Sequence, residues 1–223
     1  MKTLAIIPIK MNNVRTPGKN TKPFSDGTPL IHLIQKKLLN CNFIDDVYVY
    51  CSNEDIKQFL LTGVKYLKRD EQFDTPQADV IQMMRVFSEK VEADIYVQAH
   101  ATTPFLTSES IDKALEEIQH SDYDSSFAVT KLQDFLWQKG EPVNYNPETI
   151  PRTQDMEPYF KETTGLYIFK KNIIRDMHRR IGIKPYLLEV SEIESLDIDE
   201  PEDFMIADAV YTHLKSKGDN RWI

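Results

Sequence analysis

Thr3-Leu4-Ala5-Ile6-Ile7-Pro8-Ile9 is an unbroken apolar run closed by Lys10. A strand with one wet face alternates apolar and polar residues, whereas a strand buried on both faces of a parallel sheet does not. The run is therefore expected to be the central first strand. After a loop rich in turn formers, Ile31, Ile34, Leu38 and Leu39 recur at helical spacing. Val47-Tyr48-Val49-Tyr50-Cys51 reads as a second strand, residues 54–61 as a helix, and Val64 to Leu67 as a third strand. Val80, Met84, Phe87 and Val91 mark the next helix face, Ile95 to Ala99 a fourth strand, and Ile111, Ala114, Leu115 and Ile118 another amphipathic helix. Strands alternating with helices imply right-handed crossovers and a mostly parallel sheet covered on both faces. Ligands bind such sheets outside the carboxyl ends of the strands.

The alternation fails after Ser125 to Thr130. Residues 131–164 hold five aromatic residues with Pro142, Pro147, Pro151 and Pro158, which suits a lid or a dimerisation arm. Gly165 to Phe169 returns to strand character, a helix is expected over 172–180, and Phe204, Ala207, Tyr211 and Leu214 share one side of a final helix. With no repeat or linker dividing it, the chain reads as a single domain over 1–223, with 131–164 as a subregion.

The 223 residues are 41% hydrophobic and 28% charged, which suits a globular protein with a sizeable core. A net charge of -8 argues against nucleic-acid or membrane-surface binding, since both need a basic footprint. Cys41 and Cys51 lack metal-ligand spacing and form no disulfide framework. No apolar run approaches the roughly 18 residues of a membrane span, and the expectation is a cytoplasmic protein with neither nucleic acid nor membrane as partner.

Two segments carry candidate chemistry. Lys10-Met11-Asn12-Asn13-Val14-Arg15-Thr16-Pro17-Gly18-Lys19-Asn20 follows the first strand and holds three cations and no acid. Lys10, Arg15 and Lys19 can converge on a polyphosphate there, with Pro17-Gly18 turning the backbone; the alternative is a solvated basic loop. The seven glycines are too scattered for a dinucleotide fingerprint, and Asn13 breaks the phosphate-loop pattern that Gly18-Lys19 would need. Near the other end, Glu194-Ser195-Leu196-Asp197-Ile198-Asp199-Glu200-Pro201-Glu202-Asp203 would, if extended, send Leu196 and Ile198 inward. Asp197 and Asp199 would then project together, about 6.5 Å apart at Cα. Such a pair suits Mg²⁺, which takes one or two carboxylates and fills its shell with water and phosphate oxygens. Asp199 as the cap of a helix opening at Pro201 is the competing reading.

Ala5-Ile6-Ile7-Pro8 through Arg15-Thr16-Pro17-Gly18-Lys19-Asn20, then His100-Ala101-Thr102-Thr103-Pro104-Phe105, then Ser195-Leu196-Asp197-Ile198-Asp199 resemble the acylneuraminate cytidylyltransferases that make CMP-sialic acid, with CMP-KDO synthetases as cousins. The resemblance implies a Rossmann-like nucleotidyltransferase fold, usually a homodimer, coupling CTP to a 2-keto-3-deoxy sugar acid with Mg²⁺. By position, Lys19 and Arg15 would serve catalysis on the triphosphate, and Lys10, Asn20 and Arg69 would contact the nucleotide. Asp197 and Asp199 would hold the metal. His100, Arg152, Lys161 and Tyr167 would face the sugar, although a surface position for Arg152 and Lys161, a strand-end role for His100 and core packing for Tyr167 stand beside that reading. Lys10 replaces the usual Arg, His100 a Gln, and Thr163-Thr164 an Asn-Gly pair, while Leu136-Trp137 fall where a sugar-facing lysine is expected. The alternatives are KDO or a phosphorylated sugar or alcohol as acceptor, and a non-catalytic nucleotide-binding protein.

Overall fold

The computed structural model describes residues 1–13 and 16–222. Its centre is β1 (Thr3–Ile9), whose neighbours are β2 (Asp46–Cys51) and β4 (Ile95–Ala99), both parallel to it. β3 (Val64–Lys68) flanks β2, and beyond β4 come β8 (Tyr159–Lys170), β5 (Ser125–Leu132) and β9 (Pro185–Glu189), giving the order β3-β2-β1-β4-β8-β5-β9. Between β5 and β8 a two-stranded ribbon pairs β6 (Trp137–Gln138) with β7 (Glu141–Pro142). In the large sheet only β8 runs against its neighbours, so the expected mostly parallel sheet is found.

Both faces of β1 are buried. Ala5, Ile7 and Ile9 pack with Ile31 and Ile34 of α1 (Leu30–Asn40) and Ile111 and Leu115 of α3 (Ser108–His120). Leu4 and Ile6 face the other way, toward Met84 and Phe87 of α2 (Val80–Lys90) and Ile173 of α4 (Lys171–Arg175). Each such side chain contributes about 1.5–3 kcal/mol of burial, which is why the strand must be apolar on every residue. A third cluster of Phe24, Leu30, Leu33, Phe105 and Ile198 seats Phe204, Ala207 and Tyr211 of α5 (Pro201–Ser216). Among the described residues no helix is long and apolar enough to cross a membrane.

Two expected helices are corrected, and two stretches of strand are added. Residues 54–61 form only a 3-10 turn, Glu54–Phe59, opened by Asn53, whose side chain accepts from the Asp55 amide. The helix expected over 172–180 stops at Arg175, and the chain turns through His178 at a positive φ of 52°. β9 was not expected. It pairs with β5 at the sheet edge, where a proline first residue such as Pro185 is tolerated because its missing N–H breaks no inner ladder. The 131–164 region is partly strand, because β5 and β8 continue their ladder from Val129↔Glu162 to Leu132↔Tyr159 past a bulge.

Candidate active site

The loop after β1 lies at the carboxyl edge of the sheet and is fixed by its own side chains. Gly18 takes a left-handed φ of 68° to open the 3-10 turn Lys19–Thr21, a conformation glycine adopts without strain. Asn20 is buried and donates from Nδ2 to the Lys10 carbonyl at 2.8 Å and to Asn13 Oδ1 at 3.4 Å. Lys19 is 8% exposed, so its ammonium must find partners inside. Nζ donates to the Ile198 carbonyl at 2.8 Å and to Asp199 Oδ1 at 3.0 Å. Thr16 Oγ1 adds a bond to the Asp199 carbonyl at 3.0 Å. The early cationic loop and the late acidic segment, some 180 residues apart in sequence, therefore meet.

The acidic segment belongs to no sheet: residues 192–195 form a turn, and 196–199 follow without regular secondary structure. The amide of the fully buried Ile198 donates to the Thr102 carbonyl at 2.9 Å, which pins the segment to the loop after β4. Capping of α5 falls to Glu200 and Asp203: Asp203 Oδ2 accepts from the amides of Asp199 and Glu200 at 2.9 and 2.7 Å, completing a capping box. The Asp199 carboxylate is thereby left for Lys19. Asp197 Oδ2 accepts from Thr164 Oγ1 at 2.7 Å, and its Oδ1 is buried without a hydrogen-bond partner. A buried, unpartnered carboxylate oxygen beside a second carboxylate is the donor set a hard cation takes. Among the described residues no three His, Cys, Asp or Glu side chains gather as a protein-only cage. Mg²⁺ takes one or two protein carboxylates and completes its shell with water and phosphate oxygens.

A cleft of about 280 Å³ opens beside this junction, lined on its polar side by Lys10, Lys19, Asn20, Arg69, His100 and Thr102. Phe73, Val80 and Met83 supply an apolar wall. A second hollow, about 350 Å³, shares Lys10, Asn13 and Lys19 with it. Arg69 is 2% exposed and is held by an ion pair to Asp74, which also accepts from Ser52 Oγ at 2.6 Å. Its Nε is buried without a partner. Lys10 Nζ donates to the Thr75 carbonyl at 2.6 Å, and burial, with the positive charge of Arg69 adding to it, lowers its pKa.

His100 sits where the cleft meets β8. Burial foremost, then the positive charge of Arg180, pushes its pKa down to about 4, so the ring is neutral at physiological pH. Gln98 Nε2 lies 2.7 Å from His100 Nε2, and Gln98 Oε1 is buried without a partner. Across the β4/β8 ladder Gln98 stands opposite Tyr167. Tyr167 is fully buried, stacks on Phe127 with centroids 6.4 Å apart, and donates its hydroxyl to Glu162. The approach of β8 depends on Gly165: its carbonyl accepts the His100 amide at 3.0 Å, and a Cβ there would lie 2.6 Å from Thr103 Oγ1.

The structure thus gathers Lys10, Lys19, Asn20, Arg69, His100, Asp197 and Asp199 at one edge of the sheet, with Tyr167 next to them. Arg15 lies outside the described residues. Arg152 and Lys161 are not brought to the cleft within this chain. The side chain of Arg152 is 73% exposed and bonded to Asp155 at 2.7 Å, and Lys161 is exposed opposite Thr130 in the outer β5/β8 ladder. Gln98, Thr164 and Arg180 were missed. Gln98 could have been found by the two-residue period of β4, in phase with His100.

Residues 4–217 match the cytidylyltransferase family. The chain belongs to that family. Among curated relatives of this chain, N-acylneuraminate cytidylyltransferase A of Danio rerio is 30% identical over 214 residues, 92% of this chain and 49% of that protein. N-acylneuraminate cytidylyltransferase of Streptococcus agalactiae serotype V is 24% identical, over 92% of this chain and 52% of that protein. The chain spans about half the length of these relatives. A 3-deoxy-manno-octulosonate cytidylyltransferase of Rickettsia bellii is 22% identical and is matched over 96% of its length. The solved structure of CMP:2-keto-3-deoxy-manno-octonic acid synthetase complexed with CTP superposes with a TM-score of 0.72 at 15% identity, covering 96% of this chain and 99% of that one. A 4-diphosphocytidyl-2C-methyl-D-erythritol synthase from Anaerococcus prevotii gives 0.65 at 11% identity, over 95% and 96%. These likenesses establish the nucleotidyltransferase fold.

Proposed function

We propose that the chain transfers a cytidylyl group from CTP to the anomeric hydroxyl of a 2-keto-3-deoxy sugar acid of the N-acylneuraminate type. The observation that carries this reading is the contact of buried Lys19 with Asp199 at 3.0 Å, two residues along the chain from Asp197, whose Oδ1 is buried without a partner. In the reaction the sugar oxygen bonds to the α-phosphorus as the bond to the β-phosphate oxygen breaks; pyrophosphate leaves, and the hydroxyl proton is lost. Lys19, Lys10 and Arg15 would neutralise the triphosphate, and Asn20 and Arg69 would orient the nucleotide. Asp197 and Asp199 would hold Mg²⁺, which when bound supplies charge neutralisation at the phosphates. The protein's part is mainly positioning and electrostatic stabilisation of the spreading negative charge.

The full-length match to the 3-deoxy-manno-octulosonate enzyme favours KDO as a second acceptor reading within the same chemistry. The exposed apolar side chains Phe135, Trp137, Val143, Ile150, Tyr159 and Phe160 support a homodimer formed through 131–164; a cytoplasmic location is part of the same proposal. Such an arm could carry Arg152 and Lys161 toward a partner's sugar site. Pyrophosphate release from CTP and Mg²⁺ with N-acetylneuraminate, KDO and phosphorylated sugars or alcohols tests the reading; release with neither sugar acid refutes it.

A further inference from the structure

One partly buried cation beside the cleft has no anion. The Arg180 guanidinium carbon lies 3.4 Å from the centroid of the Tyr167 ring, a face-on contact that leaves the in-plane N–H groups pointing elsewhere. Among the described residues no carboxylate, carbonyl or hydroxyl accepts from them. Glu162 is close enough to be felt but lies beyond ion-pair distance, and it accepts the Tyr167 hydroxyl instead. Burial lowers the Arg180 pKa, the mark of a desolvated charge. The position is nonetheless fixed: the preceding turn passes through His178 at positive φ, the Arg179 amide donates to the Ile173 carbonyl at 3.3 Å, and the Gly182 amide donates to Ser125 Oγ at 2.7 Å.

A second, independent observation points to a ligand at the same place. Gln98 Oε1 is buried and unpartnered, Gln98 adjoins His100, and Gln98 stands opposite Tyr167. An anchored cation, an idle amide acceptor and a neutral imidazole therefore border one spot, on the side of His100 where β8 passes. Holding a desolvated cation without a partner costs free energy, and a bound anion repays it.

We propose that Arg180 is the side chain that grips the acceptor's carboxylate, the group that makes a sugar acid the substrate in preference to a neutral sugar. The inference rests on the cytidylyl-transfer reading above. A guanidinium with its in-plane N–H pairs unused matches the two oxygens of a carboxylate. Gln98 then takes a sugar hydroxyl.

The test compares N-acetylneuraminate and KDO with their primary amides, at saturating CTP and Mg²⁺, for the wild type, Arg180→Gln and Arg180→Lys. Wild type is expected to lose about 10- to 100-fold in kcat/KM on going from acid to amide, the worth of one charge-assisted contact. Arg180→Gln should lose a similar factor on the acid, treat acid and amide alike, and keep the wild-type KM for CTP. Arg180→Lys should restore part of the preference. Should Arg180→Gln show no melting transition, the acid-to-amide ratio is read on Arg180→Lys, where a several-fold fall is expected. A variant that prefers the acid as strongly as wild type does, or that raises the KM for CTP by the same factor, overturns the role of Arg180 and leaves the transfer reading intact. Wild type releasing no pyrophosphate with either acid overturns the transfer reading, and this inference with it.

Discussion

Asp197→Asn separates function from folding, because the structure predicts opposite signs for the two. Asp197 makes one described hydrogen bond, accepting from Thr164 Oγ1 at 2.7 Å, and an asparagine oxygen can accept the same bond. Its other oxygen is buried with no donor. An unsatisfied buried acceptor costs about 1–3 kcal/mol, more when charged, so removing the charge should leave the ligand-free protein as stable as before or up to about 1 kcal/mol more stable. For a chain of this size that is a rise of zero to about 4 °C in Tm. Turnover should fall about 100- to 1000-fold, the usual cost of deleting one preorganised electrostatic group at a developing charge. Ligand binding gives a third readout: at 100 times its Kd a ligand stabilises by about 2.7 kcal/mol, so CTP with Mg²⁺ should raise the wild-type Tm, and the Mg²⁺-dependent part of that rise should vanish in the variant. Pyrophosphate release and thermal melting, each with and without Mg²⁺, make the measurement. Turnover within tenfold of wild type, or a Tm lowered by more than about 4 °C, would show that Asp197 is a structural residue.

Ile198→Ala should destabilise by about 2–5 kcal/mol in chemical denaturation, since the side chain is fully buried among Phe24, Phe105 and Phe204; it should also lower turnover by loosening the residues on either side. Gly165→Ala should cost about 1–3 kcal/mol, because its Cβ would come within 2.6 Å of Thr103 Oγ1 and push β8 from the loop after β4; an unchanged Tm would refute that close approach. His100, with its folded pKa depressed to about 4 from 6.5, binds fewer protons folded than unfolded between those values. Stability should therefore be fully present above pH 6.5 and fall by on the order of 2 kcal/mol toward pH 4, and His100→Gln should flatten that limb of the profile; an equally steep limb in the variant would count against a depressed His100.

What could be read from the sequence follows from what each segment must satisfy. β1, β2 and β4 are buried on both faces, a condition that forces consecutive apolar residues and leaves a signal in Leu4 to Ile9 that no loop would imitate. β9 has one neighbour, and its burial is uneven from Pro185 to Glu189, so little in its composition sets it apart from a loop. The short α4 carries helical spacing past its end at Arg175, and the positive φ of His178 beyond it leaves no mark in the side-chain pattern. At the site, Asp197 and Asp199 were legible as a pair because one residue of spacing suffices to align two side chains in extended chain. The assignment of the cap to Glu200 was not, since Asp199, Glu200 and Asp203 are all chemically able to cap and only the chain direction selects among them. Arg180 leaves no local pattern at all. Its neighbours Tyr167, His100 and Gln98 come from two other strands and their loops.

The reversed strand β8 reaches the cleft in a different way from the parallel strands. Parallel strands meet a ligand at their carboxyl ends, so each contributes through the loop that follows it. β8 runs the other way and reaches the same edge through its own residues: Thr164 on Asp197, Gly165 against His100, and Tyr167 under Arg180. Toward its start it leaves the core and forms the exposed ladder with Lys131 and Leu132 that presents Tyr159 and Phe160. A bulge between Phe127 and Val129 shifts the register between the outer and inner parts of this ladder, so Tyr167 is set by its own partners, Gln98 on β4 and Phe127 on β5. Lys19 and Asp199 are held to each other directly, and Asn20 is held to the Lys10 carbonyl in the first loop.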